Sequence, residues 1–215
     1  MQTFTIKKLL SVVLVVMCLH TFFPLHAAPV RAEEKKNVLI VGDSVAAVLS
    51  WWKPSQKPFW TSQFNLILEV WGCQKLLSPG CKSGAKYGAH TLIEQHNDDN
   101  IDIVVVMTGY NDSSLLTLKE AVQKISRTVH KMGASLVWGT YREAEPVRIR
   151  ARTFNEYLQT QVDVHDIDLF DWNTKSRGKK QWFRGGGVHM NAVGGTKFAK
   201  MLKNFLDEHV AKLSS

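Results

Sequence analysis

Ser44 is the side chain in this sequence whose type and placement most clearly offer chemistry: its hydroxyl is a candidate nucleophile. It closes the run Val38 to Ser44, Val-Leu-Ile-Val-Gly-Asp-Ser. A short apolar run with β-branched residues and a glycine stop reads as a buried strand of a parallel sheet. Val45 to Leu49 read as a helix, which sets Ser44 at a helix N-terminus. Unpaired N–H groups and the helix dipole there favour developing negative charge, as a nucleophile requires. Taken alone, an Asp-Ser pair in this position more often caps a helix than attacks a substrate. Two further segments bear on the choice. Thr108-Gly109-Tyr110-Asn111-Asp112 follows another strand pattern, and Gly187-Val188-His189-Met190-Asn191 precedes the last helix pattern. A Gly-x-Asn-Asp loop is often just a turn, and a lone histidine before a helix is usually a surface or capping residue. Ser44, Asn111 and His189 together, each where a strand ends or a helix begins, share the edge of an open parallel sheet that binds ligands.

The elements that must position them follow from hydrophobic periodicity. Strands are expected at Val38 to Gly42, Phe64 to Trp71, Ile101 to Gly109, Ser135 to Thr140 and Val164 to Phe170. Helices are expected near Thr91 to Gln95, over Leu118 to Met132 with a stop at Gly133, over Arg148 to Gln161, and over Asn191 to Leu213. This alternation predicts an α/β fold with a five-stranded, mostly parallel sheet. A length of 215 residues with 45% hydrophobic content suits one globular domain.

Residues 1–28 read as a secretory signal peptide. Lys7 and Lys8 precede an apolar run from Leu9 to Phe23, and small residues Ala27 and Ala28 follow Pro24. The run is short for a membrane span of about 20 apolar residues. A short extension over residues 29–36 and a catalytic-type domain over residues 37–215 would then remain. The expected location is secreted or extracytoplasmic, and the mature chain is expected not to span a membrane and to be a monomer. Loss of Lys7 and Lys8 with the signal lowers the formal charge from +8 to +6. Basic residues cluster at Arg148, Arg150 and Arg152 and at Lys175, Arg177, Lys179, Lys180 and Arg184. They could attract anionic cell-envelope polymers or simply keep the surface solvated. Nucleic acid is not an expected partner, since no binding motif is present.

Of three cysteines, Cys18 falls in the signal, leaving Cys73 and Cys81. An even pair in an oxidising compartment implies a disulfide, worth roughly 2–3 kcal/mol in the chain-entropy model. His90 and His96 have no recognisable ligand spacing, so neither a metal nor another cofactor is expected.

With these residues in place, the chain resembles the SGNH (GDSL) hydrolase family. Gly42-Asp43-Ser44, Gly109-Tyr110-Asn111-Asp112 and Val188-His189 match three of the family's blocks and bracket nearly the whole mature chain. It is also similar to secreted members that carry a paired-cysteine loop after the second strand. Those end in Trp-Phe-x-x-Asp-Gly-(Ile/Val)-His-Leu, against which Trp182 to Met190 aligns without gaps. The resemblance implies a three-layer, flavodoxin-like sandwich. It also implies that Ser44 attacks an ester carbonyl while His189 takes and returns the proton. The implied oxyanion donors are the backbone N–H of Ser44, that of a glycine (Gly84, with Gly88 as the other choice), and the Asn111 amide. Asp43 would brace the turn.

One position departs from the family pattern: Gly186 stands where an aspartate should orient the histidine. In the serine-protease triad, loss of that carboxylate costs about four orders of magnitude. A Ser44–His189 dyad, a substitute carboxylate (Asp171 ahead of Asp168) or a silent ligand-binding relative are the three ways to read the gap. The resemblance and the export signal imply an esterase, or an acyl transferase, acting on small O-acyl groups of carbohydrate or envelope substrates. An inactive glycan-binding module is the alternative from another class, and a lipase comes next. Trp51, Trp52, Phe59, Trp60, Tyr110 and Trp182 could stack on a sugar or belong to the core.

Overall fold

Five apolar runs form one parallel sheet: β1 (Lys36–Gly42), β2 (Phe64–Val70), β3 (Ile103–Met107), β4 (Ser135–Gly139) and β5 (Ile167–Phe170). The computed structural model describes residues 34–214. The proposed signal segment and Cys18 lie outside the described residues. The strand order is β2-β1-β3-β4-β5, with every pairing parallel. This is the doubly wound, flavodoxin-like order, whose switch point falls between β1 and β3. The expected α/β sandwich is therefore present.

Both faces of the sheet are covered, which explains why its central strands are continuous apolar runs. Val38, Leu39, Ile40 and Val41 are all fully buried. Val38 and Ile40 pack on one face with α8 (Ala192–Leu213) and α1 (Val48–Trp51). Leu39 and Val41 pack on the other with α3 (Ala89–Gln95), α4 (Leu115–Lys131) and α5 (Arg148–Gln159). α4 shows how the sequence sets such an element. The Ser114 hydroxyl accepts from Thr117 N–H as an N-cap, and Leu118, Val122, Ile125 and Val129 repeat at helical spacing toward the core. The helix stops before Gly133, whose φ of +74° suits glycine.

Local differences from expectation lie mostly in short helices. The chain after Ser44 first makes a hydrogen-bonded turn, closed by Ala47 N–H on the Asp43 carbonyl, before the four-residue α1. Lys57–Trp60 (α2), Val162–His165 (α6) and Trp172–Ser176 (α7) are single turns that periodicity cannot register. α6 takes residues that had been read into β5, which starts only at Ile167. Gly195 lets α8 approach α1, since a Cβ there would lie 2.2 Å from Val48 Cγ2. Cys73 and Cys81 form a disulfide with Cα atoms 5.5 Å apart.

Candidate active site

The C-terminal ends of β1, β2 and β3 finish in register: Gly42 pairs with both Val70 and Met107. Ser44 therefore leaves the sheet at the switch point, beside the loop that carries Asn111. His189 arrives from the far end of the chain, on the segment before α8. Its backbone is fixed by an antiparallel bridge between Phe183 and Met190 and by Arg184 N–H donating to the His189 carbonyl at 2.9 Å. Asn191 follows immediately and caps α8 by accepting from Gly194 N–H. These constraints bring His189 Nε2 to 2.9 Å from Ser44 Oγ across 145 residues of sequence. Ser44 is half-buried and His189 exposed.

No carboxylate bonds His189 Nδ1 among the described residues. Asp171, the candidate substitute carboxylate, is engaged elsewhere through Oδ1, which accepts from Thr140 Oγ1 and from Thr174 N–H, capping α7. Asp168 is farther from that role. It bonds His209 Nδ1 at 2.6 Å and Lys212 at 3.1 Å, while His209 Nε2 meets Ser135 Oγ at 2.7 Å. That Ser-His-Asp chain has triad connectivity but sits at the opposite sheet edge, with His209 buried, and it ties α8 to β4 and β5. Burial alone would raise the Asp168 pKa, but the bonds from His209 and Lys212 outweigh it and hold the carboxyl below its ordinary value.

The Asn111 amide is held in place by the backbone. Its Nδ2 donates to the Gln74 carbonyl at 3.0 Å and lies 3.5 Å from Asp43 Oδ2. The same Gln74 carbonyl accepts from Thr108 Oγ1 at 2.7 Å, and Asp112 Oδ2 accepts from Leu76 N–H. The loop after β2 and the loop after β3 are thus laced together. Cys73, just before Gln74, takes a left-handed φ of +58°. Gln74 was not singled out from sequence, because a backbone carbonyl leaves no mark on residue type.

Gly84 and Gly88 both lie in the segment between β2 and α3. Gly84 N–H donates to the Cys81 carbonyl at 2.8 Å, so it is spent inside the cysteine loop. A Cβ at Gly84 would lie 2.3 Å from Gly72 O, and one at Gly88 would lie 2.5 Å from Leu77 C. Both are packing glycines. Gly72 stands two residues past Val70, as Ser44 stands two past its register partner Gly42. The N–H groups of Gly72, Gly88 and Ser44 lack a protein acceptor among the described residues.

Asp43 is fully buried and accepts from Val45 N–H at 2.8 Å. Burial pushes its pKa up to about 7, against the opposing pull of backbone N–H groups from Val45, Tyr110 and Gly109. Burial likewise pushes Asp112 up to about 6. A carboxyl whose folded pKa is raised binds its proton more tightly folded than unfolded, so it adds stability that fades as pH rises toward the folded pKa. The thermal midpoint is expected to fall between about pH 4 and pH 7 from these two groups. Asp43→Asn should flatten the slope between pH 6 and 7 in a thermal melt series, at the cost of a lower midpoint throughout. An unchanged slope would remove Asp43 from that role.

Of the aromatic residues considered for stacking, Phe59 and Trp182 are core. Tyr110 and Trp52 are half-buried, and Trp60 is exposed near the β2 edge. Trp51 is 46% exposed and lies under Arg184, whose guanidinium carbon is 5.0 Å from the ring centroid. Among the described residues, no cluster of three or more His, Cys, Asp or Glu side chains is placed to hold a metal ion.

The parallel five-stranded sheet with helices on both faces is a fold shared with solved structures described as esterases and SGNH hydrolases. The chain is similar in fold to the esterase EstA from Pseudoalteromonas, at 16% identity, covering 82% of this chain and 100% of that one with a TM-score of 0.60. It is also similar to AlinE4, described as an SGNH-hydrolase family esterase, at 14% identity, with coverage of 83% and 98% and a TM-score of 0.52. A family 3 carbohydrate esterase from Clostridium thermocellum matches at 12% identity, with coverage of 84% and 100% and a TM-score of 0.56. No family model and no curated protein matches the sequence.

Proposed function

We propose that the chain is a secreted serine ester hydrolase, with Ser44 as nucleophile and His189 as its base. The observation that carries this reading is the 2.9 Å contact between Ser44 Oγ and His189 Nε2 at the switch-point edge. The esterase and carbohydrate esterase titles among the fold neighbours support it. Ser44 Oγ bonds to the ester carbonyl carbon as its proton passes to His189 Nε2. The tetrahedral oxyanion takes hydrogen bonds from Ser44 N–H, Gly72 N–H and the Asn111 amide. Collapse expels the alkoxide, which recovers the proton from His189, and water then releases the acyl group by the same steps reversed.

The imidazolium formed on the way has no carboxylate bonded to Nδ1 among the described residues. Exposure of His189 supplies the substitute: water at high dielectric solvates the charge, although it does not orient the ring. A dyad of modest power follows. Small O-acyl groups on envelope carbohydrate are the proposed substrates, with exposed Trp51 as a stacking surface for a sugar ring. Acetate release from p-nitrophenyl acetate by the purified protein tests the reading, and no release above the Ser44→Ala background would contradict it.

Restoring the family aspartate is a second test. Gly186 has φ +72° and open space around its Cβ position. Aspartate tolerates this left-handed conformation at a cost of about 1–2 kcal/mol. Gly186→Asp should therefore lower the unfolding free energy slightly while raising kcat/KM, within the roughly 10⁴-fold that a triad carboxylate is worth. A folded variant with no gain would show that its carboxylate fails to engage Nδ1 or that the ring is already oriented.

A further inference from the structure

The two basic stretches of the sequence are separate along the chain, yet the fold brings them to one cleft. Arg142, Glu143, Arg148, Arg152, Asn173 and Arg177 line a cavity of about 490 Å³. These residues follow β4 and β5 at the same sheet edge that carries Ser44 and Asn111. Two carboxylates answer four guanidiniums. Glu143 meets Arg152 Nε at 3.3 Å, and Glu145 meets Arg148 Nε at 3.3 Å. Glu143 is further engaged by the Asn155 and Asn173 amides. Arg142 and Arg177 have no carboxylate partner among the described residues.

Arg142 is the informative member. It is only 7% exposed, and its guanidinium covers the Phe183 ring at 3.9 Å. Nε donates to the Gly187 carbonyl at 3.1 Å and Nη1 to the Ser176 carbonyl at 2.6 Å. Nη2 has no protein acceptor among the described residues and reaches the solvent of the cleft. A guanidinium does not shed its charge, and one so largely buried gains from a counter-charge at the edge left open. Bracing the Gly187 loop needs only Nε and Nη1, and it explains neither Nη2 nor the three other arginines. An oxyanion in the cleft would complete the set, since planar guanidiniums read carboxylate and phosphate oxygens in pairs. Gly187 is two residues from His189, so the cleft adjoins the catalytic loop through Arg142 itself.

We propose that this arginine cleft is an anion subsite, taking a carboxylate or phosphate carried on the same glycan chain as the scissile ester. The proposal rests on the ester hydrolase reading and narrows its substrate to an anionic O-acylated glycan. A chain lying along the sheet edge from Ser44 crosses the Gly187 loop and meets the arginines, and its bound charge would steady a loop rich in glycine.

Calorimetric titration of Ser44→Ala protein, which cannot turn substrate over, tests this at about 150 mM salt, where diffuse surface attraction is largely screened. The probes are oligogalacturonate, oligo(glycerol phosphate) and a neutral xylo-oligomer. One anionic oligomer should bind at least about tenfold more tightly than the neutral one, and Arg152→Gln with Arg177→Gln should remove about that factor. The tighter anion identifies the source as carboxylate or phosphate. Lys200→Gln, which removes a charge on exposed α8 surface, should leave binding unchanged. Equal binding of all three oligomers, or equal weakening by Lys200→Gln, would overturn the subsite. Because no turnover is read, absence of p-nitrophenyl acetate hydrolysis would strike the esterase reading alone, and absence of anion binding would strike the subsite alone.

Discussion

Ser44→Ala is expected to lower kcat for p-nitrophenyl acetate by at least about 100-fold, with the fold and thermal midpoint retained. The magnitude comes from what a dyad can contribute. In a full protease triad, loss of the serine costs about 10⁶ in kcat, whereas loss of the aspartate alone costs about 3 × 10⁴. A serine and histidine without carboxylate support are thus worth roughly the remaining two orders of magnitude. His189→Ala should cost as much, and the double variant no more than either single one, because residues acting as a unit are not additive. A double variant markedly worse than both singles would show that Ser44 and His189 act separately, against the 2.9 Å contact between them.

Asn111→Ala should lower kcat by about 10²- to 10³-fold with little change in KM, the pattern of a donor that matters only once the oxyanion forms. Its amide is anchored by the Gln74 carbonyl, and only the long 3.5 Å contact to Asp43 Oδ2 has to give way as charge develops. A rise in KM with kcat unchanged would instead make Asn111 a ground-state binding residue. Gly72 is expected to share the donor role through its backbone, which side-chain substitution cannot delete.

How far the site could be read from sequence follows from what each part leaves in residue types. The strands were legible because β1 and β3 are buried on both faces and must be continuous apolar runs. Ser44, Asn111 and His189 were legible because side-chain chemistry demands particular residues. Gly84 and Gly88 stood out in the sequence, but the structure gives each a packing reason to be glycine, close backbone approach to Gly72 and Leu77. Backbone N–H and C=O groups have no letter of their own, so Gly72 and Gln74 emerged only with the register of β1 and β2. Asp171, the candidate substitute carboxylate, carries a related ambiguity. An aspartate just past a strand serves equally well as a helix cap, and the single-turn α7 it caps is too short for periodicity to show. Arg142 stood outside both basic clusters, and only the packing of the β4 and β5 loops joined it to Arg177.

The central claim is that Ser44 is activated by His189 without a carboxylate. Labelling of the folded protein with a fluorophosphonate probe, read by intact mass and peptide mapping, tests it most directly. The account predicts a single adduct on Ser44, absent in Ser44→Ala and strongly slowed in His189→Ala. No adduct on the folded protein, or labelling at Ser44 as fast without His189 as with it, would contradict it.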